Sequence, residues 1–321
     1  MSEALQSGDS VSPGSNNLGA LLREFRRQAK AEKVKSNPFG YLFIAPALVL
    51  YLVFNIWPMF RGFAMAFTDY RFIYPKSKWE FNGVANFVEL FQDKIFWESL
   101  GLSVRFTLIV LPSALIFALL VALLINRVRS GSGFYRWASY LPVILPTAVT
   151  FLMWGQFYGD KFGFINTNLR ALGIETPPNW LGSVQYALLS VAVVDVWRAF
   201  GFFTILFLIG LYNINAELFE AAAIDGANAW QQFWQITLPL LRPTFLLILV
   251  LNAGINPAAE QILILTGGNP QNATRTLGFY NFQVAFSFGD LRMGYAASMS
   301  LLLWVVTALM TAFWFRVLRE R

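Results

Sequence analysis

A chain of 321 residues that is 56% hydrophobic and only 13% charged, with mean hydropathy +0.52, excludes a soluble globular class and reads as a polytopic membrane protein. Its net charge of +6 comes from Lys and Arg clustered near the ends and in one short loop, which points to membrane orientation and not to nucleic-acid binding. With no Cys and no His, disulfides, thiol or imidazole metal sites, and Cys or Ser–His nucleophiles are excluded within the chain.

Residues 1–37 are expected to form a cytoplasmic tail. Met1–Asn17 is rich in Ser, Gly and Asn, reads as disordered and lacks the apolar core of a signal peptide. Leu18, Leu21, Leu22 and Phe25 then fall at helical spacing, with Arg23, Arg26, Arg27 and Lys30 on the other faces. Two readings stand: a basic helix on the lipid surface, or a loose tail that only sets topology.

Residues 38–321 form the membrane domain. Six apolar runs approach the roughly 20 residues that a spanning helix needs. They are Tyr41–Phe60, Phe106–Ile125, Trp137–Phe157, Tyr186–Leu211, Pro243–Leu265 and Tyr295–Phe315. Only helices satisfy their own backbone in lipid, so the fold class is all-α with six transmembrane helices. Pro142 and Pro146 interrupt the third run, and Gly254 and Pro257 the fifth. An even number of crossings puts both termini on one side, where thirteen Lys and Arg gather against eight on the other. The positive-inside rule places that side in the cytoplasm. The outer loops are then Thr68–Leu100, Gly159–Gly182 and Thr266–Gly294.

Between the fourth and fifth runs lies an amphipathic stretch, Asn215–Pro243. Asn215 is a good N-cap, and Ala216–Ile224 is rich in Ala, Glu and Leu, so a short helix is predicted. Gly226 supplies the left-handed residue that ends it. Asn228 and Gln231 form a capping-box pattern that starts a second helix, along which Trp230, Phe233, Trp234 and Leu238 make an apolar stripe. The result is a helix–turn–helix elbow across residues 215–240, with Glu217, Glu220 and Asp225 on its polar side.

Two polar groups lie within the apolar runs. Asn252, Asn256 and Glu260 recur every four residues and are expected to share one helix face, with Gln261 beside Glu260. Amides and carboxylates hydrogen-bond polar solutes, so this face is a candidate substrate path; the alternative is helix-to-helix glue. Glu260 is the leading single candidate, because an intramembrane carboxylate is costly. Asp195 and Arg198, at i and i+3, are expected to form an ion pair that orients the fourth helix, with a pathway role as the other reading. There is no G-x-x-x-x-G-K-[ST] loop, so the chain carries no phosphate-cradling motif of its own.

Glu220-Ala221-Ala222, Asp225-Gly226-Ala227, and then Phe233, Ile236, Leu238, Pro239 and Pro243 resemble the EAA loop of ABC-importer permeases. The resemblance extends from about Pro38 to the C-terminus through Phe67–Tyr70, Phe81–Phe91, Ala122–Arg127, Leu141–Pro146, Val194–Arg198 and Leu265–Pro270. Together these stretches resemble the first permease subunit of maltose-, trehalose- or glycerol-phosphate-type importers. Two stretches depart from that pattern: Asn252–Gln261, and Asn269 in place of a third glycine.

The resemblance implies a bacterial inner-membrane permease for a carbohydrate or polyol, not itself an enzyme. Its partners would be a second permease subunit, an ATP-binding subunit dimer that uses ATP and Mg, and a periplasmic or lipid-anchored solute-binding protein. Glu220, Ala221, Ala222, Asp225, Gly226 and Ala227 would couple to the ATPase. Gly267, Gly268, Asn269 and Pro270 would meet the binding protein. The competing hypothesis is an ion- or proton-coupled secondary transporter using Asp195 and Glu260. A membrane-embedded enzyme is disfavoured by the absence of His, Cys and paired carboxylates.

Overall fold

The computed structural model describes residues 38–73, 80–128, 130–252, 254–256 and 258–318. The candidate basic helix around Leu18–Lys30, the lysines Lys76 and Lys78, Arg129 and Pro257 lie outside the described residues. Regular structure among the described residues is helical, apart from one isolated antiparallel bridge between Thr68 and Phe81.

By packing, the chain falls into two units, Met1–Phe60 and Arg61–Arg321. The first contains α1 (Pro38–Tyr51), which widens into a π-helical turn at Leu52–Ile56. The chain continues as α2 (Trp57–Met65), making Tyr41–Met65 one apolar stretch of 25 residues. Phe43 is 85% exposed and Phe54 70%, as befits a helix that is apolar all round and solvated by lipid.

The second unit is built on two long helices, α4 (Lys94–Arg127) and α8 (Ala187–Tyr212), with the short α3 (Ala85–Gln92) ahead of them. Asp93 starts α4 by accepting from the Ile95 N–H at 2.8 Å. At about 1.5 Å per residue α4 is roughly 50 Å long, well beyond the ~30 Å hydrocarbon core. It therefore begins three turns before the expected Phe106. Its buried face carries Ala114, Ala118 and Ala122 at successive i+4 positions, which lets α8 approach closely. Thr204 of α8 donates to the Phe200 carbonyl at 2.7 Å and to the Ala118 carbonyl of α4 at 3.4 Å. Phe203, Phe207 and Leu208 fill the seam.

Two expected spans are not straight helices. The third divides into α5 (Ser132–Ile144) and α6 (Thr147–Phe157), bent by 95° at Leu145–Pro146. Pro146 removes a donor and biases Leu145 to extended backbone, and Leu145 sits at φ −66°, ψ 136°. The other proline, Pro142, is accommodated inside α5. A short α7 (Phe164–Ala171) follows α6.

The fifth expected span is likewise interrupted. α12 (Arg242–Leu251) ends at Asn252, and α13 (Ala259–Leu265) starts only after Ala258, which holds φ 48°. At Gly254 a Cβ would come within 2.7 Å of Thr307 Oγ1, so the backbone at the break is pressed against the last helix. That helix is α15 (Met293–Leu318), preceded by α14 (Leu277–Phe286).

Among the described residues, four helices are long and apolar enough to cross a membrane, or up to six spans if each bent pair counts as one. The second bent pair joins Ala229–Leu240 to Arg242–Leu251 at 53°. The supposed outer loops carry helices of their own: α3, α7 and α14 each lie within one of them.

Candidate functional site

The break between α12 and α13 opens a cavity of about 520 Å³, bounded also by α4, α8 and α15. Asp195, on α8, is 6% exposed and is the carboxylate of this cavity. It does not pair with Arg198. Its oxygens accept from Gln261 Nε2 at 3.1 and 3.0 Å and from Asn256 Nδ2 at 3.2 Å. Arg198 turns the other way, donating from Nη2 to Thr147 Oγ1 at 2.9 Å with its guanidinium 5.3 Å from the Phe151 ring centre. The expected ion pair is corrected accordingly. One turn of spacing permits a pair, but partners on the α12–α13 break and on α6 compete for both groups, and they win.

The shared helix face expected of Asn252, Asn256 and Glu260 is also corrected, because the helix stops between them. Asn252 sits at the end of α12, its Nδ2 donating to the Ile248 carbonyl at 3.0 Å. Asn256 lies in the gap: its N–H reaches Thr107 Oγ1 of α4 at 2.8 Å, and its Oδ1 accepts from the Ala258 N–H at 2.9 Å. Glu260 falls in the first turn of α13, is exposed and is absent from the cavity wall. Asn252, Asn256 and Gln261 do line it. Thr107 and Thr147, which hold Asn256 and Arg198, were missed from the sequence. A lone threonine in an apolar run carries no periodic signal, and the partners are 149 and 51 residues away.

The elbow has the predicted local form. Asn215 Oδ1 accepts from the Glu217 N–H at 3.1 Å, starting α9 (Ala216–Ile224). Gly226, at φ 83°, ends it: the Ala227 N–H reaches the Ala222 carbonyl at 2.8 Å and the Gly226 N–H the Ala223 carbonyl at 3.1 Å. These two bonds form a Schellman motif. The capping box of Asn228 and Gln231 closes at 2.8 and 2.9 Å at the start of α10 (Ala229–Gln232). A π-helical turn, Phe233–Thr237, follows and leads into α11 (Leu238–Leu240). The aromatic stripe is exposed: Trp230 is 68% and Trp234 50% accessible. No residue of α9 is buried, and Glu220, Ala221, Asp225 and Gly226 all face outward.

Gly267, Gly268, Asn269 and Pro270 form a turn after α13. Gly267 and Gly268 hold φ 58° and 85°, and a Cβ on Gly268 would strike the Phe279 ring. Thr274 donates to the Asn269 carbonyl at 3.0 Å and shares a 2.7 Å hydroxyl contact with Thr266.

A second polar cluster, unforeseen from sequence, joins α3, α4, α14 and α15. Arg292 binds Glu89 with both terminal nitrogens at 2.6 Å, and Asp93 accepts from the hydroxyls of Tyr280 at 2.6 Å and Tyr295 at 2.8 Å. The Arg292 hydrogen bond holds Glu89 below its ordinary pKa. Burial works to raise Asp93, but hydrogen bonds from Tyr280, Tyr295 and the Ile95 N–H outweigh it and bring its pKa below the ordinary value. Burial and the neighbouring carboxylate push the Tyr280 hydroxyl up.

A helical bundle interrupted over a polar cavity, with an exposed capped elbow, has the form of a membrane transport subunit. The chain belongs to the family described as binding-protein-dependent transport system inner membrane component, whose model matches residues 86–319. It is 34% identical over 287 residues to a probable ABC transporter permease, YesP, of Bacillus subtilis, covering 88% of this chain and 91% of that one. It is 33% identical over 291 residues to the trehalose/maltose transport system permease protein MalF of Thermococcus litoralis, covering 90% and 96%. The fold matches that of a bacterial alginate ABC transporter solved with its alginate-pentasaccharide-bound periplasmic protein. That match has a TM-score of 0.76 at 24% identity over 90% of this chain and 96% of that one. The protein is thus a non-catalytic, multi-pass inner-membrane permease subunit of an ABC importer, coupled to a separate ATPase that uses ATP and Mg.

Proposed function

We propose that this chain forms half of the translocation path of an importer for a carbohydrate or related polyol. The observation that carries the proposal is the polar cavity opened by the broken α12–α13 segment, lined by Asp195, Arg198, Asn252, Asn256 and Gln261. Relatives named for trehalose/maltose, multiple sugars and lactose support the substrate class. In this reading the membrane domain spans residues 38–321 and crosses six times: α5 with α6 makes one crossing, and α12 with α13, in place of the bent pair Ala229–Leu240 and Arg242–Leu251, makes another. Both termini and the elbow at 215–240 are cytoplasmic, as the excess of Lys and Arg on that side supports.

The elbow is the lever. α9 offers an outward face with Ile224 87% exposed, beside the acidic Glu220 and Asp225, and so fits a groove on an ATPase subunit. Closure of the ATPase dimer would tilt the elbow and switch the cavity between the two sides, a two-state element biased from both ends. The other partners are a second permease that completes the path and a solute-binding protein seated near Gly267–Pro270. In sealed vesicles holding the complete complex, uptake requires internal ATP and survives an uncoupler. Gly226→Asp and Glu220→Lys abolish it while the chain still inserts. Uptake driven by a proton gradient alone, or retained in both variants at normal subunit levels, sinks the proposal.

A further inference from the structure

We infer that Asp195 is the positioning residue through which movement of the elbow reaches the turn at Gly267–Pro270: it carries the load from α8 to α13, past the break in the fifth expected span. This rests on reading the elbow as the lever.

The elbow hangs between two helices, α8 before it and α12 after it. Close to the elbow the two are packed tightly. A Cβ on Gly210 would strike Thr244 Oγ1, and the rings of Phe207 and Phe245 meet edge to face at 4.9 Å. A tilt of the elbow therefore moves both. Beyond that point they differ. α12 stops at Leu251, and among the described residues no backbone hydrogen bond joins it to α13. A severed helix bends at the gap instead of passing on a push. α8 is unbroken from Ala187 to Tyr212. At about 1.5 Å per residue, Asp195 lies roughly 25 Å along it from the elbow end.

Asp195 is where the unbroken helix takes hold of the far side of the gap. Its carboxylate accepts from Asn256 Nδ2 at 3.2 Å and from Gln261 Nε2 at 3.1 and 3.0 Å. Asn256 is also fastened to α4, its N–H on Thr107 Oγ1 at 2.8 Å. Otherwise α13 meets α8 through apolar clusters, Ile262 with Val191 and Ala192, and Leu265 with Val194. Packed apolar surfaces slide past one another, whereas hydrogen bonds to a carboxylate are directional and resist that shear. α13 is in turn bonded to the turn that follows it. The Gly267 N–H donates to the Ile262 carbonyl at 2.7 Å, and the Thr266 N–H to the same carbonyl at 3.0 Å. The line of force runs from the elbow through α8, Asp195 and α13 to Gly267–Pro270, and α12 is the arm that yields.

The chain has no cysteine, so a single introduced thiol can be labelled. An environment-sensitive fluorophore is placed on Gln271→Cys, exposed just past Pro270, or on Gln235→Cys, exposed in the second arm of the elbow. The assembled permease–ATPase complex, with cysteine-free partner subunits, is held in nanodiscs. It receives a saturating non-hydrolysable ATP analogue and no solute or binding protein, so the turn can be moved only from the elbow side. Both labels respond in the otherwise unaltered chain. Asp195→Asn lowers the response at position 271 at least about threefold and leaves that at 235 in place. Gln261→Met, which leaves Asp195 on Asn256, damps it in the same way and carries the test should Asp195→Asn fail to assemble. Asp195→Asn combined with Gln261→Glu puts the carboxylate on α13 and the amide on α8. That exchange rebuilds the bond with reversed polarity and restores about half of the lost response or more, which mere loosening of the fold would not allow. An undiminished response at 271 in both single variants overturns the inference. So does failure of the exchange to restore it, or a silent 271 label beside a responding 235 label in the unaltered chain. A silent 235 label there sinks the lever reading, and this inference with it.

Discussion

Two polar clusters in the same helical bundle treat charge in opposite ways. Around Asp93, opposite groups meet: Arg292 grips Glu89 through paired 2.6 Å bonds, and Asp93 caps α4 while binding two tyrosine hydroxyls. Around Asp195 the charges are kept apart, the carboxylate on neutral amides and Arg198 on a threonine and a ring. The first cluster also lines a cavity, of about 480 Å³, but its paired groups tie helix ends together. The second holds its charges on neutral partners, in the wall of a cavity that the broken α12–α13 segment opens. The first arrangement is a bolt and the second a binding wall.

The comparison breaks first at the wall. Asp195→Ala strands three amide hydrogen bonds at one stroke, each buried unsatisfied group costing about 1–3 kcal/mol. Uptake per inserted molecule is expected to fall at least about 100-fold, a loss of about 2.7 kcal/mol in transition-state terms, measured in the ATP-loaded vesicles. Asp93→Ala should do the reverse. It removes a helix cap and the shared acceptor of Tyr280 and Tyr295, lowering stability by about 2 kcal/mol in thermal unfolding of the detergent-solubilised protein. Uptake per folded molecule should hardly change. A larger transport defect than stability defect in Asp93→Ala would erase the distinction between bolt and wall.

Acid tests the bolt separately. Glu89 and Asp93 have folded pKa values below their ordinary ones, so their contribution to stability is fully present above about pH 4–5. It is lost as pH falls through the lowered folded values. Unfolding temperature should drop more steeply below pH 4 in the unaltered protein than in Asp93→Asn, which lacks the titrating group. Equal slopes would show that Asp93 bears no part of the acid sensitivity. The smallest effect is expected at Glu260. Exposed and off the cavity wall, its replacement by Ala should alter substrate affinity by about twofold or less, the usual range for surface positions.

Much of the local structure was legible in the chain. The Asn215 cap, the Gly226 stop and the Asn228–Gln231 box each depend on residues a few positions apart, and each forms as read. The fourth run was expected at Tyr186–Leu211 and the helix is Ala187–Tyr212, because an uninterrupted apolar segment has no competing local preference. The sixth was placed at Tyr295–Phe315 and extends by a few residues at both ends. Breakers were visible too, at Pro146 and Gly254, but not the size of their effect. A proline marks where a donor is missing, and only the packing around it decides between a tolerated residue, as at Pro142, and a 95° bend.

What sequence alone determined, then, is whatever is governed by neighbours in the chain: apolar length, caps, stops and the elbow's signature. Tertiary structure decided the partners of the charged groups. Asp195 and Arg198 sit one turn apart, yet their hydrogen bonds run to residues 66 and 51 positions away. The physical reason is competition in a medium that offers few other donors and acceptors. A buried charge takes whichever partner the folded bundle brings within reach, and spacing along a helix says only which partner is possible.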